Sequence, residues 1–186
     1  KESLVSYPSV WGGSDYGVQP KLRLPPSTEE YGIVIASSLT RYFIDQGRTV
    51  GFLSYTPRRS YIAPDRGDRQ LIDVLESLAL AKSETDYTLQ QMLALERHQL
   101  SRGTTLVIVS STTQTAWLAE AYAESQRGVI VVVVLINPAS FGRNDIDIEL
   151  LREQIMSAGI MVYVVNYEDD LSAALSYRAQ PVRARR

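Results

Sequence analysis

The sequence predicts a three-layer, Rossmann-like α/β sandwich with a mostly parallel sheet and one antiparallel edge strand. Segments rich in β-branched residues alternate with amphipathic helical patterns, which favours right-handed crossovers onto a parallel sheet. The stretches 104–111 and 128–136 each contain a continuous apolar run, Leu106–Val109 in the first, with no polar alternation, as expected of strands covered by helices on both faces. We interpret 104–111 as the central strand of the sheet.

The chain divides by composition into three segments. Residues 1–26 are rich in proline, glycine and serine and predict an irregular arm or loop, whereas residues 27–177 carry the alternating pattern of the α/β domain. Residues 178–186 form a basic tail that we interpret as a solvated chain end.

The first part of the domain predicts a helix followed by two strands. The helix begins after Ser27, where Ser27 and Glu30 match a capping box, and Gly47 ends it. A strand over 49–55 follows, and the turn after it is so short that its partner at 61–63 must be antiparallel.

Two more helices precede the predicted central strand. The first follows the polar stretch 64–70, and Thr88 with Gln91 forms a capping box for the second, which continues to about Gln99. The residues of the first helix expected to face inward are Leu71, Ile72, Leu75, Leu78 and Ala79.

The remainder alternates helix and strand three times. A helix from Ala116 precedes the strand at 128–136, a second helix precedes the strand at 160–165, and a last helix begins near Asp169. The inward residues expected of the first two helices are Trp117, Leu118, Ala121, Tyr122, Ile148, Leu151 and Ile155.

Composition excludes several functional classes. The chain has no cysteine and one histidine, so thiolate chemistry and a histidine metal cluster are ruled out, and the absence agrees with a reducing cytoplasm. A formal net charge of -2 gives no reason to expect nucleic-acid binding. No apolar run approaches the ~18 residues of a spanning helix, so we expect no membrane contact by these residues, and no glycine-rich nucleotide loop occurs.

The candidate site lies where the predicted central strand ends, because open α/β sheets bind ligands at the carboxyl ends of their strands. Hydroxyls cluster there, and they could hold an anion with the amides of the following helix or cap that helix. These hydroxyl residues are Ser110, Ser111, Thr112 and Thr113. A charged turn with Asp65, Arg66 and Asp68 could bind a partner, or its charges could neutralise one another.

Three elements resemble a bacterial family known as domain of unknown function 58, whose members have a von Willebrand factor A-like domain. The elements are STEEY from Ser27, GRTVGF from Gly47 and PDRG from Pro64, and a looser match continues to NPASFG and YEDDLSAALS. The resemblance covers most of the chain after residue 26. It implies the same parallel α/β sandwich.

The sequence departs from the metal-binding pattern of von Willebrand factor A domains. No Asp-x-Ser-x-Ser occurs, the loop at 65–68 lacks the threonine expected there, and Ser110–Thr112 stand where the pattern has an aspartate. We therefore expect a degenerate site that binds a divalent cation weakly or not at all. The strand that the family places between those at 49 and 104 is also missing, so these two strands pair directly, or Ser3–Tyr7 or another chain fills the gap.

Two functions remain open, and a purely structural role in an assembly fits the sequence as well as the first of them. The resemblance implies a non-catalytic protein-interaction domain that works with a MoxR-type AAA+ ATPase in the assembly or remodelling of other proteins. The location expected is cytoplasmic, either free or on the cytoplasmic side of a membrane-anchored parent protein. The alternative is a Rossmann-like enzyme or nucleotide binder that uses the turn at Ser110–Thr113.

Overall fold

The computed structural model of the chain describes residues 24–55, 58–82, 84–142 and 147–176, and within them helices and strands alternate as predicted. The helices are α1 (Thr28–Asp45), α2 (Gly67–Ala79), α3 (Leu89–Glu96), α4 (Leu118–Gln126), α5 (Ile148–Ser157) and α6 (Leu171–Ser176). The strands are β1 (Val50–Tyr55), β2 (Arg59–Asp65), β3 (Thr105–Ser110), β4 (Ile130–Ile136) and β5 (Met161–Val165). Short 3-10 helices cover Arg97–Gln99 and Pro138–Phe141.

The parallel sheet consists of β3, β4 and β5, with β4 in the middle. Alternate residues of β4 enter two different cores, since Val133 packs with α3, α4 and α5 whereas Val134 packs with α1 and α6. Helices therefore cover both faces of the sheet, and the predicted layered α/β arrangement is confirmed. Five of the seven residues of β4 are buried, which explains its unbroken apolar sequence.

The prediction that 104–111 is the central strand was wrong. β3 lies at an edge of the parallel sheet, and Ile108 is its single buried residue. Leu106, Val107 and Val109 are only half-buried, because among the described residues β4 is the one strand paired with β3. An apolar run shows that helices cover both faces of a strand, but it does not show that strands flank it on both sides.

The predicted antiparallel edge strand belongs to a separate sheet. β1 and β2 are antiparallel, with Leu53 opposite Tyr61, and in the described ranges they form a two-stranded sheet of their own. The expectation of one continuous sheet is therefore corrected. The strands at 49 and 104 do not pair directly, and Ser3–Tyr7, the other segment considered for the gap, lies outside the described residues.

Helix α1 connects the two sheets. It packs against β1 of the antiparallel pair and against β3 and β4 of the parallel sheet, and it also packs along α2. The buried side chains of Tyr31 and Ile35 contact the parallel sheet near the carboxyl ends of its strands. The antiparallel pair is thus attached through helices and not through a shared hydrogen-bond ladder.

Two predicted helix starts are confirmed, and the complete capping box is found at the second, Thr88. Ser27 Oγ accepts a hydrogen bond from the Glu30 amide, although the distance of 3.5 Å makes it weak. Thr88 and Gln91 form both hydrogen bonds of the capping box, with the Thr88 amide donating to Gln91 Oε1 at 2.8 Å. These caps satisfy amides that have no partner within their helices.

Two predicted helix faces were partly wrong. In α2, Ile72 is 53% exposed and Leu75 is 40% exposed, whereas Val74 is fully buried. The helix is rotated because Gln70 faces inward, where its amide donates to two backbone carbonyls at the ends of β1 and β2. In α4, Tyr122 is 48% exposed and does not join the core.

A buried carboxylate links the antiparallel pair to α3. Glu96 is 4% exposed and accepts hydrogen bonds from the Tyr55 hydroxyl and, at both carboxylate oxygens, from the Arg59 guanidinium. The hydrogen bonds from Arg59 are the main cause that lowers the pKa of Glu96 to about 2. Burial raises the pKa of the Tyr55 hydroxyl, and its hydrogen bond to Glu96 adds to that rise.

We expect Glu96→Gln to lower the free energy of unfolding at pH 7 by about 2 kcal/mol, because it weakens charge-assisted hydrogen bonds that fix the antiparallel pair. Urea unfolding followed by circular dichroism measures this loss. Asp45→Asn is the control, since the Arg41–Asp45 pair is exposed and of little value. Equal losses in the two variants would contradict a special role for Glu96.

The contribution of Glu96 also depends on pH. A carboxyl group whose pKa is lower in the folded state stabilises the fold above its unfolded pKa, about 4.5, and loses that effect as the pH falls toward 2. We therefore expect the difference in unfolding free energy between the wild type and Glu96→Gln to shrink between pH 4.5 and pH 2. A difference that is constant over this range would show that Glu96 does not carry the charge.

Candidate functional site

Polar side chains line the carboxyl ends of the three parallel strands. Ser110 ends β3, Asn137 follows β4 and Asn166 follows β5. The Asn137 side chain is buried and donates from Nδ2 to Asn166 Oδ1 at 2.8 Å, while its Oδ1 accepts from the Ala139 amide at 3.0 Å. These residues tie the ends of β4 and β5 together at the edge where α/β sheets place ligands.

A second set of contacts extends this polar edge toward α1 and α6. Asp169 Oδ2 accepts from the backbone amide and the side-chain amide of Asn166, at 2.8 and 3.0 Å. Tyr31 Oη accepts a hydrogen bond at 2.8 Å from the amide of Glu168, which is the one described non-glycine residue with a positive φ, 66°. The buried Tyr31 therefore helps to hold a backbone conformation that most side chains disfavour.

The predicted hydroxyl turn follows β3 directly. Ser110 Oγ accepts from the Thr112 amide at 3.1 Å, and Thr112 Oγ1 accepts from the Gln114 amide at 3.4 Å. Ser111 is half-buried and Thr113 is exposed. The hydroxyls do not cap α4, because that helix begins only at Leu118, so the capping interpretation was wrong. The same gap separates the turn from the free amides that an anion would need.

The structure does not bring the charged turn at 65–68 to this edge. Asp65 lies opposite Val50 at the start of β1, and Arg66 Nε donates to Thr49 Oγ1 at 3.1 Å. This is the carboxyl-terminal end of α1, whereas Tyr31 at its amino-terminal end lies near the carboxyl ends of the parallel strands. The 18 residues of α1, about 27 Å in length, separate the two groups.

Within the charged turn, Asp65 Oδ1 accepts a hydrogen bond from the Arg66 amide at 2.8 Å. Asp68 lies in the first turn of α2, where a negative charge interacts favourably with the helix dipole. These contacts are local and bring no other predicted site residue close.

A cavity of about 450 Å³ lies at the outer edge of β5. It is bounded by α5 and α6, which pack on opposite faces of that strand. We call it the β5 groove. Its lining residues are Ile148, Glu149, Arg152, Val162, Tyr163, Val164, Asn166, Asp169, Asp170, Ala173 and Ala174.

The β5 groove joins the polar edge of the sheet, because Asn166 and Asp169 belong to both. Along β5 itself the lining is largely apolar, whereas carboxylates lie where α5 and α6 begin. Glu149 Oε2 pairs with Arg152 Nη1 at 3.0 Å, and Asp170 Oδ1 accepts from the Ala173 amide at 3.0 Å. The groove thus combines an exposed strand edge with a negatively charged end.

Two searches of the described residues bear on metals and membranes. Among residues 24–55, 58–82, 84–142 and 147–176, no three histidine, cysteine, aspartate or glutamate side chains are grouped so that they could hold a metal ion. In the same ranges, no helix has the length and apolar character that crossing a bilayer requires.

The chain matches no protein-family model, no curated protein and no solved structure. The fold and the site alone therefore define its class. It is an α/β protein with a helix-covered parallel sheet, a separate antiparallel strand pair and a groove beside an edge strand.

Sequence reasoning missed Asn137 and Asn166 as parts of the site. Each is the first polar residue after an apolar strand, and this position was the available signal. A last helix was predicted to begin near Asp169, but the two hydrogen bonds that the Asp169 carboxylate accepts from Asn166 were not predicted. The β5 groove could not be found without knowing which strand forms the edge of the sheet.

Proposed function

We propose that the chain is a non-catalytic protein-interaction domain with a von Willebrand factor A-like fold and a degenerate metal site. The single observation that carries the proposal is the β5 groove, in which an edge of β5 that no other described strand pairs with lies between two helices. Many domains recognise an extended segment of a partner by pairing it with such an edge.

The backbone of β5 presents the groups that this mode of binding needs. The Val165 carbonyl accepts from the Asn137 amide and so faces β4. Because backbone groups alternate in direction along a strand, the amides and carbonyls of Val162 and Val164 face the groove. Among the described residues, β4 is the only strand paired with β5.

The proposed partner is a MoxR-type AAA+ ATPase, with which the domain would act in the assembly or remodelling of other proteins. This part rests on the resemblance to the bacterial family named above. The proposed location is the cytoplasm, free or on the cytoplasmic side of a membrane-anchored parent. The turn at Ser110–Thr113 and the charged turn with Asp65, Arg66 and Asp68 are proposed as further contact surfaces, well separated on the domain.

We expect Val164→Pro to abolish binding of a purified MoxR-type ATPase, because proline removes the outward amide without removing a hydrogen bond to β4. Val164→Ala is the matched control, since it keeps the amide and should bind within about twofold of the wild type. Titration calorimetry measures both affinities, and circular dichroism establishes that both variants fold. Unchanged binding by folded Val164→Pro would overturn the proposed role of the groove.

The alternative, a Rossmann-like nucleotide-binding enzyme, is tested by thermal shift with magnesium, manganese or calcium, with ATP and with GTP. We expect no shift with any of them. A ligand that binds only the folded state stabilises it by about 2.7 kcal/mol at a hundredfold excess over its dissociation constant, which is readily detected. If ATP or GTP raises the melting temperature of the wild type and Ser110→Ala removes this increase, the nucleotide-binding enzyme is favoured. A shift with metal alone would contradict the degenerate metal site.

A further inference from the structure

We propose that the β5 groove selects a partner segment that is extended, has apolar residues along β5, and carries lysine or arginine at the carboxyl end of that strand. This inference rests on the proposed function, and it adds the chemistry of the segment that the groove would bind. Three features of the described residues support it: the distribution of charge, the shape of the groove walls and the direction of the strand connections.

The negative charge is confined to one end of the groove. Glu149 lies in the first turn of α5, and Asp169 and Asp170 precede α6, so all three carboxylates are near the carboxyl end of β5. Arg152 is the single positive residue among the described lining residues. A lysine or arginine on the bound segment would therefore find complementary charge at this end and not at the other.

The carboxylates keep the capacity to accept further hydrogen bonds. An ionised carboxylate has about four acceptor positions, and the described contacts use few of them. Asp170 Oδ1 accepts a hydrogen bond from one backbone amide, and Glu149 Oε2 accepts one from Arg152. The Glu149 side chain remains 66% exposed. A lysine ammonium or an arginine guanidinium supplies several donors of the kind these groups lack.

The remainder of the groove suits apolar side chains. Ala173 and Ala174 form the wall contributed by α6, and Val162 and Val164 contribute the strand. The side chains of an added strand alternate between the α5 wall and the α6 wall, because successive residues of a strand point to opposite faces. The two alanines leave more room on the α6 side than larger residues would.

The basic residues at the end of this chain are an obvious competing occupant. Arg178, Arg183, Arg185 and Arg186 lie outside the described residues, but the position of α6 bears on them. Helices α4 and α5, which connect the parallel strands in order, lie on one face of the sheet, and α6 lies on the other. A parallel strand added beside β5 directly after α6 would therefore form a left-handed connection, which proteins almost never use. This argues for a segment of another protein.

The test uses the full chain and three labelled ten-residue peptides of alternating valine and threonine, identical except for two positions at one end that carry lysine, glutamine or glutamate. Fluorescence anisotropy measures their affinities. We expect the lysine peptide to bind at least tenfold more tightly than the glutamine peptide, and the glutamate peptide to bind most weakly. Added salt should lower the affinity of the lysine peptide more than that of the other two peptides.

Variants then locate the charge effect. Glu149→Gln combined with Asp170→Asn should reduce the affinity for the lysine peptide about tenfold, the upper range for two exposed ion pairs, and leave the glutamine peptide unchanged. Glu153→Gln is the matched control, because this exposed residue of α5 does not line the groove. It should not alter either affinity. An equal loss in the control would overturn the assignment of the charge to the groove.

The outcomes separate this inference from the proposed function. If the lysine and glutamine peptides bind equally well and Val164→Pro abolishes the binding of both, the charge preference is overturned and strand addition still stands. Failure of all three peptides to bind would overturn both. If removal of residues 178–186 is needed before the lysine peptide binds, the chain's own tail is the occupant and the proposal of a separate partner is wrong.

Discussion

The attachment of the antiparallel pair is the constraint on which the rest of the described structure depends. No backbone hydrogen bond joins this pair to the parallel sheet within the described residues, so the helices must hold the two sheets together. Apolar packing of α1 supplies part of that connection, and Glu96 supplies a directional one through Tyr55 and Arg59. A buried carboxylate is costly unless it is fully paired. Its three hydrogen bonds therefore favour one orientation of the pair over others.

A second buried carboxylate fixes the position of α3 against the parallel sheet. Glu124 of α4 is 1% exposed and pairs with Arg97 at 3.0 Å and with Arg127 at 2.7 Å. Glu96 and Arg97 are adjacent, so the end of α3 is bonded to the antiparallel pair on one side and to α4 on the other. These ion pairs specify geometry in a region where the two sheets have no ladder in common.

Local signals in the sequence predicted helix starts well. They failed to predict strand order and helix orientation, which depend on residues distant in the sequence. Ser27 and Thr88 marked helix starts correctly, because a cap involves only residues within one turn. Local signals did not reveal the order of the strands. β3 and β4 have similar apolar runs, but among the described residues β4 lies between two strands and β3 pairs with one. The inward face of α2 was misjudged because Gln70, a polar residue, is buried by its bonds to backbone carbonyls. The polar edge was predicted only in the turn at Ser110–Thr113, and the groove was not predicted, because both depend on which strands lie side by side.

A comparison of two of the edge strands, β2 and β5, indicates why β5 is a candidate for binding. Proteins protect exposed edges with charged residues, proline and bulges. β2 has all three kinds of protection, since it carries Arg59, Pro64 and Asp65 and pairs with β1 through an irregular register. β5 reads MVYVV and has none of them within the strand. Its protection comes from α5 and α6, because only an extended segment that fits between these helices can reach the edge of β5. An edge that is open to one kind of segment and closed to a broad sheet is suited to selective strand addition and not to aggregation.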